Sequence, residues 1–243
     1  MDISFYTAGV GAKAQQTRLD VIGNNMSNAN TVGYKSQNAA FVDLLYSNMR
    51  EPAGANTQLK VGAGARIEKT DVNYNSGGLQ STDNPTDYTI IGDGFFAVQN
   101  PSTNQIYYTR DGSFKHSLFR DGEFYLVNGS GELVLDENFE RIKVDLSGSE
   151  ESKQKDPKKP AVFDFEVKDG MLLVGNNLFL PREKNGAPTL RKDAKIQTGA
   201  LETSNVEVST EMVKLIETQR AYSMNLKMVQ TSGEIEEIIN NLR

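Results

Sequence analysis

The chain has 243 residues, 37% hydrophobic and 24% charged, with a formal net charge of −6. This is enough sequence for a real core, and the acidic balance argues against a nucleic-acid partner, which a basic face would favour. With no cysteine and one histidine, His116, the chain has no disulfide, no thiolate nucleophile, no cysteine-ligated metal and no two-histidine metal site.

The opening residues, Met1 to Gly11, lack the basic stretch and long apolar run of a secretory signal. Nowhere does an apolar run approach the roughly 18 residues that a membrane helix needs, so no membrane insertion is expected. Residues 3–29 read as one helix. Phe5, Ala8, Ala12, Gln15, Leu19, Ile22, Met26 and Ala29 recur at alternating three- and four-residue spacing. The stripe is narrow and rich in small residues. Gly9 and Gly11 each weaken the helix by about 1 kcal/mol relative to alanine, so it needs a partner, and the two glycines read as a close-packing site.

Residues 31–83 read as a connector. Phe41, Leu44, Leu45 and Met49 suggest a short helical piece, and Gly54, Gly62, Gly64, Gly77 and Gly78 punctuate extended or hairpin-like segments around it.

Residues 84–204 read as an antiparallel β domain. Asp93-Gly94, Asp111-Gly112, Asp121-Gly122, Asn128-Gly129, Asp169-Gly170 and Asn185-Gly186 are hairpin-type dipeptides. Short apolar or alternating runs lie between them, at 88–91, 95–99, 106–109, 123–127, 132–135, 142–146, 162–167, 171–174 and 178–180. Residues 150–160 read as a charged surface loop. Gly92-Asp93-Gly94 superficially resembles a phosphate loop, but such a loop opens a helix. Phe95-Phe96-Ala97-Val98 follows instead and reads as a strand, so a hairpin turn is expected.

The C-terminal stretch is helical again. Ser204 and Glu207 have capping-box spacing. Met212, Leu215, Gln219, Tyr222, Leu226 and Val229 then follow heptad spacing, and the stripe resumes after Ser232-Gly233 at Ile235, Ile238, Ile239 and Leu242. A narrow stripe kept over so many turns resembles a coiled-coil seam. The expected fold is therefore mainly β with terminal α-helices: an antiparallel β domain inserted between N- and C-terminal helices that form a coiled coil. Residues 1–30 and 205–243 would make up one terminal helical domain.

Several stretches, in order along nearly the whole chain, resemble the flagellar rod, hook and hook-associated axial proteins. The first runs from Asn24-Asn25-Met26-Ser27-Asn28-Ala29-Asn30 to Thr31-Val32-Gly33-Tyr34-Lys35. Phe41-Val42-Asp43-Leu44-Leu45-Tyr46 is similar to the continuation in rod proteins. Gly92-Asp93-Gly94-Phe95-Phe96-Ala97-Val98 and Tyr108-Thr109-Arg110-Asp111-Gly112-Ser113-Phe114 resemble the β-domain motifs. Glu202-Thr203-Ser204-Asn205-Val206 and Gln219-Arg220-Ala221-Tyr222 resemble the C-terminal signature. The length suits a rod protein, of the distal or the long proximal type.

The resemblance implies a non-enzymatic structural subunit with no cofactor. It would leave the cell through the flagellar export apparatus without a cleaved signal peptide and lie in the basal body outside the cytoplasmic membrane. There it would self-associate into a helical tube with other rod and hook subunits and transmit torque. Candidate subunit-interface residues are the stripe positions Leu19, Ile22, Met26, Leu215, Tyr222, Leu226 and Val229, with the signature residues Asn25, Asn28, Gly33, Asn205 and Arg220. The alternatives are a hook or accessory subunit of the same family, or a non-flagellar β-domain binding module with a dimerising coil.

Overall fold

A computed structural model describes residues 3–48, 60–119, 121–144 and 159–242. The fold is mostly antiparallel β with one helix at each end. Two compact units divide the chain, and neither is continuous in sequence.

The first unit holds α1 (Ile3–Ser27), β1 (Gln37–Asp43), β2 (Tyr46–Asn48), β3 (Lys60–Gly62), β4 (Ala65–Val72) and α2 (Val208–Asn241). At 1.5 Å per residue the helices run about 37 and 51 Å. They pack against each other and run antiparallel: Ser4 meets Ser232, Asn225 lies against Gly11, and Asn25 meets Glu211. β1 and β4 pair as an antiparallel ribbon with a bulge between Ala40 and Phe41. This ribbon packs on α1, where the Arg18 guanidinium lies 5.6 Å over the Phe41 ring.

The short helix expected around Phe41, Leu44 and Leu45 does not form: Phe41 lies in β1, Leu44 and Leu45 link β1 to β2, and Met49 lies outside the described residues. The apolar spacing there was ambiguous between the two periods. Pairing with Ala65–Val72, which sequence periodicity does not reveal, decides for the strand. The stretch 31–83 is divided between the two units.

The second unit holds β5 (Leu79–Ser81), β6 (Tyr88–Ile91), β7 (Phe95–Gln99), β8 (Ile106–Thr109), β9 (Lys115–Leu118), β10 (Phe124–Val127), β11 (Leu133–Val134), β12 (Val162–Asp164), β13 (Leu172–Gly175), β14 (Leu178–Leu180), β15 (Thr189–Leu190), β16 (Lys195–Thr198) and β17 (Ala200–Glu202). Among the described residues nine strands form one sheet in the order β13-β14-β8-β7-β11-β10-β9, with β12 joining β7 to β15. β6–β16 and β5–β17 are separate two-stranded ribbons.

β7 is the centre of the sheet. Phe95, Phe96, Ala97 and Val98 are all buried, so side chains on both faces of the pleat are covered. Phe96 and Val98 join Ile90, Phe114, Leu126 and Val134 in one cluster. Phe95 belongs instead to a set of rings with Tyr74, Phe165 and Phe179, at centroid distances of 5.5–6.4 Å. Tilted and edge-on aromatic pairs at such distances add specificity beyond area burial.

Asp121-Gly122 and Asn128-Gly129 do turn between paired neighbours, β9–β10 and β10–β11. Asp93-Gly94 does not form the expected hairpin. It links β6 to β7, which lie in different sheets. Asp111-Gly112 likewise carries the chain out of β8, and Gly112 is required by proximity: a Cβ there would lie 1.6 Å from the Tyr88 carbonyl oxygen. Asp169-Gly170 and Asn185-Gly186 also lie between strands that do not pair with each other. The β13–β14 turn is made instead by Asn176 and Asn177, both at positive φ, a conformation asparagine tolerates. Ile142 lies among isolated bridges, while 145–146 and most of the charged loop fall outside the described residues.

Candidate assembly interface

The helix pair is sealed by small and polar groups. On α1 the buried residues are Ala8, Ala12, Ala14, Ile22 and Asn25. On α2 they are Glu211, Thr218 and Ser232, with Leu215, Tyr222, Asn225 and Val229 half-buried between them. These α2 positions advance by alternating steps of four and three, so the heptad is real but its phase differs by one from that of the apolar residues alone. Leu215, Tyr222 and Val229 lie on the seam; Met212, Gln219 and Leu226 do not. A Cβ at Gly11 would come within 3.1 Å of Asn225 Nδ2, whereas Gly9 faces open space. Of the two expected close-packing glycines, only Gly11 is one.

Asn25 is 1% exposed and ties three elements together. Its Nδ2 donates to the Gln37 carbonyl at 2.8 Å and to Glu211 Oε2 at 3.3 Å, and its Oδ1 accepts from the Gln37 N–H at 2.9 Å. Glu211 also accepts from Lys214 Nζ at 2.7 Å. The last turn of α1, the start of β1 and the first turn of α2 therefore share one buried polar cluster. The Ser204–Glu207 capping box does not form. Glu207 is itself the N-cap residue, and its carboxylate accepts from the Thr210 and Ser209 hydroxyls, which hold its pKa below the usual carboxylate value.

Of the remaining signature residues Arg220 lies on α2, while Asn28, Gly33 and Asn205 lie in the second unit, which holds an ionic cluster that sequence reasoning missed. Glu202 accepts from Lys35 Nζ at 2.7 Å through Oε1 and from Arg110 Nη1 at 3.1 Å through Oε2. The Gly77 N–H adds a third bond, to Oε1, at 2.9 Å. Lys35 Nζ also donates to the Asn75 carbonyl, and Arg110 Nη2 to the Gly92 carbonyl, both at 2.8 Å. The three charged side chains are at most 2% exposed. Burial lowers the Lys35 pKa, opposed by the attraction of Glu202. The Arg110 guanidinium lies 5.6 Å over the Phe95 ring, and its Nε has no partner.

Gly33 and Asn205 close the same region. Gly33 has φ of +67°, donates its N–H to the Glu202 carbonyl at 2.8 Å, and would place a Cβ 2.6 Å from the backbone of Arg110 and Asp111. Asn205 Oδ1 accepts from the Ser36 N–H at 2.7 Å, and its Nδ2 donates to the Asn73 and Asn75 carbonyls. Asn28 accepts from the Thr31 hydroxyl across a turn. These residues all bond within their own chain.

The large apolar residues of α2 point elsewhere. Met212, Val213, Ile216, Met224, Leu226, Met228, Ile235, Ile238, Ile239 and Leu242 are 40–82% exposed. Of the candidate interface residues, Arg220 and Leu226 are exposed, Leu19, Met26, Leu215, Tyr222 and Val229 are half-buried, and Ile22 is buried. Such continuous apolar exposure on a helix marks a contact surface. Among the described residues no group of three or more histidine, aspartate or glutamate side chains is placed to hold a metal, and no helix is long and apolar enough to cross a membrane.

A chain that seals its own helix pair mostly with polar and small groups, and leaves most large aliphatic side chains of α2 outward, is suited to a structural subunit. Comparison with known proteins defines the kind. Residues 5–35 match the flagella basal body rod protein family, residues 89–153 the flagellar hook protein FlgE/F/G D1 domain, and residues 197–242 the flagellar basal body rod FlgEFG protein C-terminal family. A flagellar basal-body rod protein FlgG of Buchnera aphidicola subsp. Schizaphis graminum is 34% identical, covering 98% of this chain and 99% of the relative. FlgG of Borreliella burgdorferi is 36% identical over 99% and 98%. A FlgF rod protein of Mesorhizobium japonicum is 31% identical over 100% and 98%. The chain belongs to the flagellar basal-body rod protein family. It is a structural axial subunit of the rod.

Proposed function

We propose that this subunit polymerises through its terminal helix pair into the shaft that carries torque from motor to hook. The observation that carries this reading is the row of exposed large aliphatic residues along α2, left uncovered by a helix seam that uses mostly small and polar side chains and only a few large apolar ones, Ile22, Leu215, Tyr222 and Val229. Neighbouring copies and other rod and hook subunits are the partners that cover it. No catalytic step is assigned. Export proceeds through the flagellar apparatus.

Within the proposed interface, Arg220 and Leu226 contact neighbours directly. Leu19 and Met26 on α1, and the seam residues Leu215, Tyr222 and Val229 on α2, contribute from half-buried positions. Ile22, Asn25, Asn28, Gly33 and Asn205 act indirectly, by fixing the shape of the subunit that is presented.

The test is Leu226→Asp, introduced into a strain lacking the gene, with basal bodies examined by electron microscopy. The expected result is a rod cut short or absent above an intact membrane ring, from a protein whose β-unit near-ultraviolet circular dichroism is unchanged. Full-length rods with normal swimming would overturn the reading. A purified protein that stopped at a discrete dimer at all concentrations would favour a dimerising module instead.

A further inference from the structure

α2 is longer than the helix it pairs with. Ser4, at the start of α1, meets Ser232, and α2 continues to Asn241. These last turns carry Ile235, Ile238, Ile239 and Leu242 at i, i+3, i+4 and i+7, each more than half exposed. That is the spacing of a single apolar face. Exposed Glu234 and Glu237 make the same turns acidic.

The middle of the helix pair carries the opposite charge at three exposed positions, with the exposed Glu217 carboxylate at its edge. Arg220 and Lys227 on α2 are exposed, as is Lys13 on α1, which the antiparallel register brings to the same level. None of these three, nor Glu234 or Glu237, enters an ion pair among the described residues. Exposed Val213, Ile216, Met224 and Met228 supply apolar surface beside them.

We propose that the acidic, apolar end of α2 docks on the basic, apolar middle of the helix pair of the next copy, displaced along the helix by about 13 residues, or about 20 Å. This rests on the reading that the terminal helices polymerise, and it sets their stagger. Parallel copies in register set basic middle against basic middle and acidic end against acidic end. The stagger replaces both repulsions with attraction. Exposed ion pairs contribute only about 0.2–1 kcal/mol each, so the charges select register while aliphatic contact supplies affinity. The two patches are different, so each copy offers a fresh acceptor and the association does not close.

The experiment compares four proteins expressed in the strain lacking the gene, with shaft length read from isolated basal bodies. Arg220→Glu with Lys227→Glu reverses one patch, Glu234→Lys with Glu237→Lys reverses the other, and the fourfold variant reverses both. Ile238→Asp is the fourth. Both half-reversals are expected to lose the shaft while keeping wild-type helicity by circular dichroism, and the fourfold variant to regain it. Half-reversals that assemble normally, or a fourfold variant no better than its halves, would overturn the stagger. If Ile238→Asp alone blocks assembly, polymerisation through the helices stands and only the stagger falls; if no variant blocks it, both fall. Rescue that produces closed dimers also overturns the proposal, because an antiparallel pair satisfies the same charges without growing.

Discussion

Lys35 and Glu202 meet at 2.7 Å with both side chains 1% exposed, although 167 positions separate them in sequence. Arg110 completes the cluster at 3.1 Å. One carboxylate thus holds two buried cations, and removing it strands both. Breaking a buried pair by deleting one partner costs about 3–5 kcal/mol. Glu202→Gln keeps the shape and loses the charge, and it should lower the urea unfolding free energy by that order. A loss under about 1 kcal/mol would show that water or a rearranged neighbour compensates the cations.

Alkaline stability should follow two buried phenols. Burial pushes Tyr108 up to about 12, and burial together with the nearby Asp169 carboxylate does the same for Tyr74. In the unfolded chain both ionise near pH 10. Their contribution is therefore complete below about pH 10 and is lost as pH rises towards 12, because the folded state holds the protons longer. Lys35 acts with the opposite sign. Its pKa is lowered by burial, so the folded state releases that proton first, and the penalty of burying the ammonium eases as pH rises towards its unfolded value. Thermal midpoints measured across pH 9 to 12 should fall more gently in Tyr74→Phe and Tyr108→Phe than in the unaltered protein. Identical slopes would show that other groups govern the alkaline limb.

Two glycines should respond in opposite ways to the same substitution. Gly33→Ala forces a left-handed backbone on a residue with a Cβ and drives that carbon to 2.6 Å from the Arg110 backbone. It should destabilise the second unit by more than about 1–2 kcal/mol. Gly9→Ala meets open space in a helix and should stabilise α1 by up to about 1 kcal/mol. Differential scanning calorimetry of the two variants checks both signs. A neutral Gly33→Ala would mean that the 33–35 turn can relax.

The architecture was legible because it rests on local signals. Terminal stripes with alternating three and four spacing, and turn dipeptides between short apolar runs, announce helices around a β domain. Several strands, including Tyr88–Ile91 and Phe95–Gln99, could be read to the residue because apolar runs and turn residues bound them. The strand at Gln37–Asp43 was not legible, since its pairing with Ala65–Val72 depends on a partner some thirty positions away. The seam phase was obscured for another reason. A search for apolar residues picks Met212 and Leu226, while Glu211, Thr218 and Ser232 are what the fold buries. The ionic cluster lay inside three quoted motifs, yet nothing local in Lys35, Arg110 or Glu202 says that they meet. Asn25, Gly33 and Asn205 were singled out as interface candidates, and the bonds seen for them are made within their own chain.

The separation between Lys35 and Glu202 also has a meaning in time. A ribosome delivering about 5–20 residues per second takes roughly ten to thirty seconds to travel from one partner to the other. Throughout that interval Lys35, later joined by Arg110, lacks the Glu202 carboxylate, and the ribbon that ends at Glu202 does not yet exist. The second unit is thus late to set. Its cross-link forms only when nearly the whole polypeptide has appeared, so an incomplete chain remains pliable while a finished one locks.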